Sequence, residues 1–333
     1  MWSSWSRRAL ALSAIGVPML CLTALVLMAV RTSTRLTAPP GYSHPGHEQR
    51  SAGVVAASSG PSWSLGDDPR QAHGLAFREV EFPTADGAVL RGWLIPGPGE
   101  PTAGIVAAHA RGGDRRGYLD QLSTFHRLGL TALLFDYREH GLSDGAGRGM
   151  SLGYREAEDI SAAVRYLKES HGVRRVGTIG HSLGGSSVIL AAAQDRAIDA
   201  VIAESSIANF DGYVRDMTDQ WIQHRGVPSV APLWQGWWPR LVVEVTAWRI
   251  GVHGLRAPVD VIGQIAPRPI LLIHGIQDTV VYPAHAARLF ANAGEPRDLR
   301  LVPGVDHSTR YPDYPVEYHR RISAFLQQTL GQE

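Results

Sequence analysis

The chain has 333 residues, 44% apolar and 19% charged, which is enough to bury a core and too mixed for a disordered chain or a coiled coil. The 32 basic and 31 acidic residues leave a formal charge of +1, so no global field holds a nucleic acid and no such partner is expected. A single cysteine, Cys21, excludes an intrachain disulfide and a Cys-based zinc site.

A short tail, residues 1–8, ends in Arg7-Arg8. The 22 residues of Ala9–Val30 then carry no charge, and Arg31 and Arg35 follow. As a helix this run spans roughly 33 Å, the thickness of a bilayer core. It is longer than the apolar core of a cleaved signal peptide, and no A-x-A site follows Val30. The run therefore predicts an uncleaved, single-pass signal anchor that associates the chain with a membrane. Cys21 is read as one of its apolar helix residues, because Met19-Leu20 lacks the small residue that precedes a lipid-modified cysteine. Arginines on both sides leave the orientation poorly determined, and the short tail modestly favours a main domain on the extracytoplasmic side. Residues 31–72 contain five Pro, five Gly and seven Ser and read as a flexible linker. His44 and His47 within it are read as solvated, since no third ligand follows nearby.

Residues 76–82 and 88–95 flank a Pro-Thr-Ala-Asp-Gly loop and predict an antiparallel hairpin. Beyond it, residues 104–108, 131–135, 176–180, 200–203 and 270–274 are continuously apolar runs bounded by Gly, Asp or His. Such runs are typical of strands buried on both faces of a parallel sheet. Helical stretches at 154–170 and 186–194 alternate with them. The expected fold is α/β, a mostly parallel sheet with helices on both faces, and its chemistry should collect at the carboxyl ends of the strands.

One such end reads Gly180-His181-Ser182-Leu183-Gly184-Gly185, a G-x-S-x-G pattern between a strand and an apolar helix. A serine hydroxyl is a weak nucleophile and must be held in a sharp turn beside a base. Small residues at 180 and 184 permit that turn, and the helix start aims the Leu183 N–H at a developing oxyanion. Downstream, one strand runs into Asp278 and another into His307, which gives the chain order Ser, acid, His.

With His109-Ala110-Arg111-Gly112-Gly113, Asp136-Tyr137-Arg138-Glu139-His140-Gly141-Leu142-Ser143, Gly180–Gly185, His274–Asp278 and Val305-Asp306-His307, the chain resembles the α/β-hydrolase superfamily over about residues 76–330. Within it, the resemblance is to bacterial esterase-like and peptidase-like serine hydrolases. It implies Ser182 as nucleophile, His307 as general base and Asp278 as acid, with an oxyanion hole of Leu183 N–H and, from the loop after His109, Arg111 N–H. Such hydrolases more often read His-Gly where this chain has His109-Ala110. Ala110 is tolerable there if its φ is ordinary, with Gly112-Gly113 supplying flexibility. The Arg111 guanidinium could instead meet a substrate carboxylate.

Glu204, ending the run at 200–203, is the alternative acid. Asp306 is disfavoured because neighbouring side chains in an extended segment point apart. Asp136, His140 and Ser143 are read as shaping the site floor, and His181 and His274 as packed or hydrogen-bonded.

Residues 207–266 do not read as sheet and contain five of the nine tryptophans: Trp221, Trp234, Trp237, Trp238 and Trp248. The resemblance makes this insertion a cap over the nucleophile. Most of these tryptophans are expected to pack it onto a hydrolase domain of residues 73–333, with one or two lining an acyl pocket. Trp237-Trp238 could also touch lipid.

The expected reaction is hydrolysis of a small-molecule or lipid carboxylic ester through an acyl-enzyme, needing no metal or organic cofactor. Rival readings are a peptidase or amidase of the same fold, or a catalytically inactive membrane-tethered binding protein. A nucleotide-dependent oxidoreductase is discounted, because no G-x-G-x-x-G opens a helix after a strand.

Overall fold

The structure, a computed structural model, describes residues 4–37, 68–226, 236–252, 254, 256–309 and 313–331, with side chains in the first helix from residue 19 onward. That helix, α1 (Ser4–Thr37), is followed after residues 38–67 by the single-turn α2 (Pro69–His73). Most of the expected linker, with His44 and His47, lies outside the described residues. Its two ends differ from expectation. Residues 31–37 continue α1, and Pro69–His73 is helical because Asp68 caps it through the Arg70 and Gln71 amides, both at 2.8 Å.

The strands are β1 (Arg78–Pro83), β2 (Val89–Ile95), β3 (Ala103–Ala108), β4 (Thr131–Asp136), β5 (Arg175–His181), β6 (Ala200–Glu204), β7 (Ile270–Gly275) and β8 (Arg297–Val302). They form one sheet in the order β1-β2-β4-β3-β5-β6-β7-β8. The predicted hairpin β1–β2 pairs antiparallel, β2 pairs antiparallel with β4, and every pairing from β4 to β8 is parallel.

Two helical layers cover this sheet. On one face lie α4 (Tyr154–His171), α5 (Leu183–Gln194), the short α8 (Pro258–Val261) and α9 (Ala284–Asn292). On the other lie α3 (Leu122–Arg127) and α10 (Val316–Leu330). In β3, Val106 and Ala108 join the first core, and Ile105 and Ala107 join the second. Period-two alternation thus feeds apolar side chains to both layers, which is why these strands read as unbroken apolar runs. Each buried Ile or Leu stabilises such a core by roughly 1.5–3 kcal/mol.

Helix α4 shows how the sequence sets a boundary. Gly153 and Gly172 stand at its two ends with φ of +95° and +65°. The Glu156 carboxylate accepts from Gly153 N at 2.9 Å and Ser151 N at 2.8 Å, closing the first turn.

The insertion after β6 contributes α6 (Phe210–Arg225) and α7 (Trp238–Ile250). These pack on each other and, through α7, on the end of α1. A third core holds Ala29 and Leu36 of α1 together with Phe210, Tyr213, Trp238 and Val242 of the insertion. Among the described residues, α1 contains the one stretch long and apolar enough to cross a membrane, Met19–Thr37. Two of the hydroxyls there are satisfied within the helix, Thr23 and Thr34 each donating to the carbonyl four residues earlier at 2.9 Å.

Candidate active site

Ser182 joins β5 directly to α5 and is held at φ +56°, ψ −116°, a strained conformation for a residue with a side chain. The glycines around it are required by contact. A Cβ on Gly180 would lie 2.3 Å from the Gly184 backbone, one on Gly184 2.1 Å from the Ala108 carbonyl oxygen, and one on Gly185 2.2 Å from Ser206 Oγ. Strand, turn and helix can approach this closely only without those methyls. The Ser182 amide donates to the Glu204 carbonyl at 2.8 Å, so β6 fixes the turn from the other side.

The loops after β7 and β8 bring two more side chains to it. His307 Nε2 lies 3.1 Å from Ser182 Oγ, and His307 Nδ1 lies 2.8 Å from Asp278 Oδ2. The tautomer satisfying both has Nδ1–H donating to Asp278 and Nε2 accepting from the hydroxyl. Asp278 Oδ1 accepts from Val280 N at 2.9 Å and Val281 N at 2.8 Å, while His274 Nε2 stands 3.3 Å from Oδ2. Burial alone would raise the Asp278 pKa. The hydrogen bonds from His274 and His307 outweigh it and hold the carboxyl well below the usual range.

The competing acids are occupied elsewhere. Glu204 is buried and accepts from Tyr118 at 3.2 Å and from the Tyr318 hydroxyl. Desolvation pushes its pKa up to about 7, although the two phenols favour the ionised form. Asp306 accepts from the Ser308 amide at 2.8 Å in a local turn. His181 and His274 are hydrogen-bonded, as expected: His181 Nε2 to the His307 carbonyl at 3.2 Å, and His274 Nε2 to the Val281 carbonyl at 2.7 Å. Burial, and then proximity to His307, lower the His181 pKa to about 3, which keeps it neutral.

The loop after β3 turns with Gly113 N donating to the Ala110 carbonyl at 3.0 Å. The left-handed φ falls on Gly112 at +71°, and Ala110 is not among the positive-φ residues. This accommodates the departure from His-Gly. His109 Nδ1 donates to the Ala110 carbonyl at 2.8 Å, and Nε2 accepts from Tyr137 N at 3.3 Å. Asp136 receives Arg115 through N at 2.7 Å and Nη2 at 2.6 Å, tying the β4 end to the residue that follows this loop. Arg111 turns its guanidinium onto the Arg35 carbonyl at 3.2 Å, so α1 takes up a group that the sequence left as a solvated cation or a contact for a substrate carboxylate.

Helix α6 reaches the acid loop through Gln220, which donates to the Thr279 carbonyl. It is latched to α9 by His285, whose Nε2 lies 3.1 Å from Asp216 Oδ2 while Nδ1 accepts from Ala208 N at 3.1 Å. Tyr213 on α6 is buried and senses both Arg111 and Asp278 electrostatically; burial raises its pKa. No sequence motif marks Tyr213, Arg115 or the Val280 and Val281 amides as part of this site. Of the insertion's tryptophans, Trp238 packs in the core, and Trp234 lies outside the described residues. Trp221, Trp237 and Trp248 are exposed by 55%, 43% and 74%, so among the described residues the expectation of packing holds for Trp238 alone. On α7, Trp237 and Trp248 fall on a solvent stripe with Arg240 and Glu244, away from the buried positions 238, 242, 246 and 250.

Three comparisons bear on this arrangement. Residues 146–333, which include Ser182, Asp278 and His307, match the model of the prolyl oligopeptidase family. The Escherichia coli O157:H7 protein YfhR is 27% identical over 263 residues, covering 77% of this chain and 80% of YfhR. Among solved structures, the Pyrococcus furiosus esterase Pf2001 superposes with a TM-score of 0.62 at 22% identity, covering 82% of this chain and all of that one. Acetyl xylan esterase 1 from Thermoanaerobacterium superposes with a TM-score of 0.57 at 16% identity, covering 76% and 83%. These likenesses give the α/β-hydrolase fold, and the family match over more than half the chain makes this protein a member of the prolyl oligopeptidase family of serine hydrolases.

Proposed function

We propose that the protein is a membrane-anchored carboxylesterase acting through an acyl-enzyme, with Ser182 as nucleophile, His307 as general base and Asp278 as the acid that orients it. The observation that carries this reading is the unbroken chain from Asp278 through His307 to Ser182, with contacts of 2.8 and 3.1 Å. His307 Nε2 removes the Ser182 proton as Oγ attacks the carbonyl. The oxyanion is received by Leu183 N–H at the start of α5 and by Arg111 N–H in the loop after β3. His307 then protonates the leaving alcohol, and water attacks the acyl-enzyme by the same route. Nothing in this sequence of steps calls for a metal or cofactor.

The proposed organisation is a tail at 1–8, an anchor at 9–30, a linker within 31–72 and a hydrolase domain at 73–333 whose cap spans about 207–266, with the domain on the extracytoplasmic side. Ester rather than peptide cleavage is supported by the solved neighbours named as esterases, whereas the family's name favours a peptidase. A panel of p-nitrophenyl esters of graded acyl length, run beside aminoacyl p-nitroanilides, decides between them. Ester turnover that vanishes in Ser182→Ala is expected. Anilide cleavage without ester turnover would make the protein a peptidase, and inertness on both would favour a binding protein.

A further inference from the structure

The proposed chemistry leaves the end of α1 and the exposed tryptophans of the cap unused. Side chains from Met19 to Met28 are almost all exposed, and docking begins abruptly at Ala29. From there Ala29, Ser33, Leu36 and Thr37 are buried. Arg249 on α7 donates to Ser33 Oγ at 2.7 Å, Met150 N donates to the Thr37 carbonyl at 2.9 Å, and Arg111 holds the Arg35 carbonyl. Leu36 and Ala29 share a core with Ile207, Tyr213 and Val281. Val281 N donates to the Asp278 carboxylate, and Ile207 N donates to Ser186 Oγ, one turn beyond Ser182. The helix end is therefore built into the surroundings of the Ser182 site, joined to the cap, to the loop after β3 and to the loop before α4.

Residues 9–28 of α1 make a helix of about 30 Å, one hydrocarbon thickness. Ser33, five residues further, lies within about 8 Å of the end of that stretch along the helix, which is headgroup depth. Trp248 stands next to the arginine that binds Ser33 and is 74% exposed. Trp221 is also exposed, one helical turn from exposed Met217, with the Arg225 guanidinium over its ring. Tryptophan with arginine beside a membrane-spanning helix is the composition of an interfacial belt, where the ring's apolar body and polar N–H are both accommodated.

We infer that the cap helices α6 and α7 rest on the bilayer that α1 enters, and that the site takes an amphiphilic ester held in that bilayer. The substrate half rests on the esterase reading above. Because α1, α7 and the loop after β3 are tied together, the cleft cannot turn away from the membrane surface without breaking the Arg249–Ser33 and Arg111–Arg35 contacts.

The test uses the full-length chain reconstituted in phosphatidylcholine vesicles with and without brominated acyl chains. The Trp248 contribution is taken as the difference between wild type and Trp248→Phe. Quenching of that contribution by the brominated lipid is expected, as is a several-fold loss of turnover of bilayer-held 1-monooleoylglycerol in Trp248→Gln with p-nitrophenyl acetate turnover unchanged. An unquenched Trp248 contribution would overturn the proposed surface. Equal turnover of monooleoylglycerol in wild type and Trp248→Gln would overturn its role in substrate delivery. Absence of p-nitrophenyl acetate turnover in wild type would instead overturn the esterase reading, while the quenching result still decides the surface.

Discussion

The His307 carbonyl accepts a hydrogen bond from His181 Nε2 at 3.2 Å, and the two imidazoles lie 4.9 Å apart at 44°. The residue preceding Ser182 thus holds the backbone of the residue that faces Ser182. Burial keeps His181 neutral across the working range, so it positions His307 without exchanging protons itself. His181→Phe keeps the ring and removes the donor. It should lower kcat by roughly 10 to 100-fold, in line with the cost of misplacing a reacting group by about 1 Å. The pH profile of kcat/KM should keep its shape, which steady-state kinetics across pH would check.

The two acids near the site make opposite demands. Asp278 accepts from His307 and two amides, whereas Glu204 accepts from two tyrosines. Asp278→Asn should lower kcat by roughly four orders of magnitude, because an amide cannot hold the tautomer that leaves Nε2 free to accept. Glu204→Gln should lower it by far less. The reverse ranking would move the acid to β6.

Glu204 also implies a pH-dependent stability. Its folded pKa is raised to about 7 from an ordinary 4.5, so between these values the folded chain binds more protons than the unfolded one. The stability this group supplies is therefore complete below about pH 4.5 and is lost as pH rises through about 7. Thermal melts should show the wild type losing Tm relative to Glu204→Gln across that window. Parallel curves would mean that Glu204 stays ionised in the fold.

The positive φ at Ser182 stores strain that glycine would release, worth about 1–3 kcal/mol against about 0.5–1 kcal/mol of added unfolded-chain entropy. Ser182→Gly should therefore be more stable than Ser182→Ala by about 1 kcal/mol, measurable by urea denaturation, with neither variant active.

Most of the sheet was legible because β3 to β7 are buried on both faces, which writes them as short apolar runs. The edge strand β8 has no such run, since Arg300 and Leu301 are exposed, and it was placed by the motif after it. Spatial order was not legible, because β4 lies outside β3 through a crossover that leaves no local trace. At the site, the expectation of Ser182, Asp278 and His307 came from turn chemistry and chain order, and the structure brings these three side chains together. The preference for Asp278 over Glu204 rested on loop position and chain order; the contacts of Glu204 with Tyr118 and Tyr318, which come from distant elements, left no local trace. The docking of α1 was not legible for a similar reason. Residues 31–37 look like linker because Ser33 and Thr37 are polar, yet both are buried by partners 113 or more residues away, in the loop before α4 and in α7.

The most direct test of the central proposal is labelling of the folded, membrane-reconstituted chain with a fluorophosphonate, read by peptide mass spectrometry. The adduct is expected on Ser182, at a rate sharply reduced in Asp278→Asn and His307→Ala and abolished in Ser182→Ala. Wild-type protein that remains unlabelled, or labelling at another serine that survives Ser182→Ala, would contradict it.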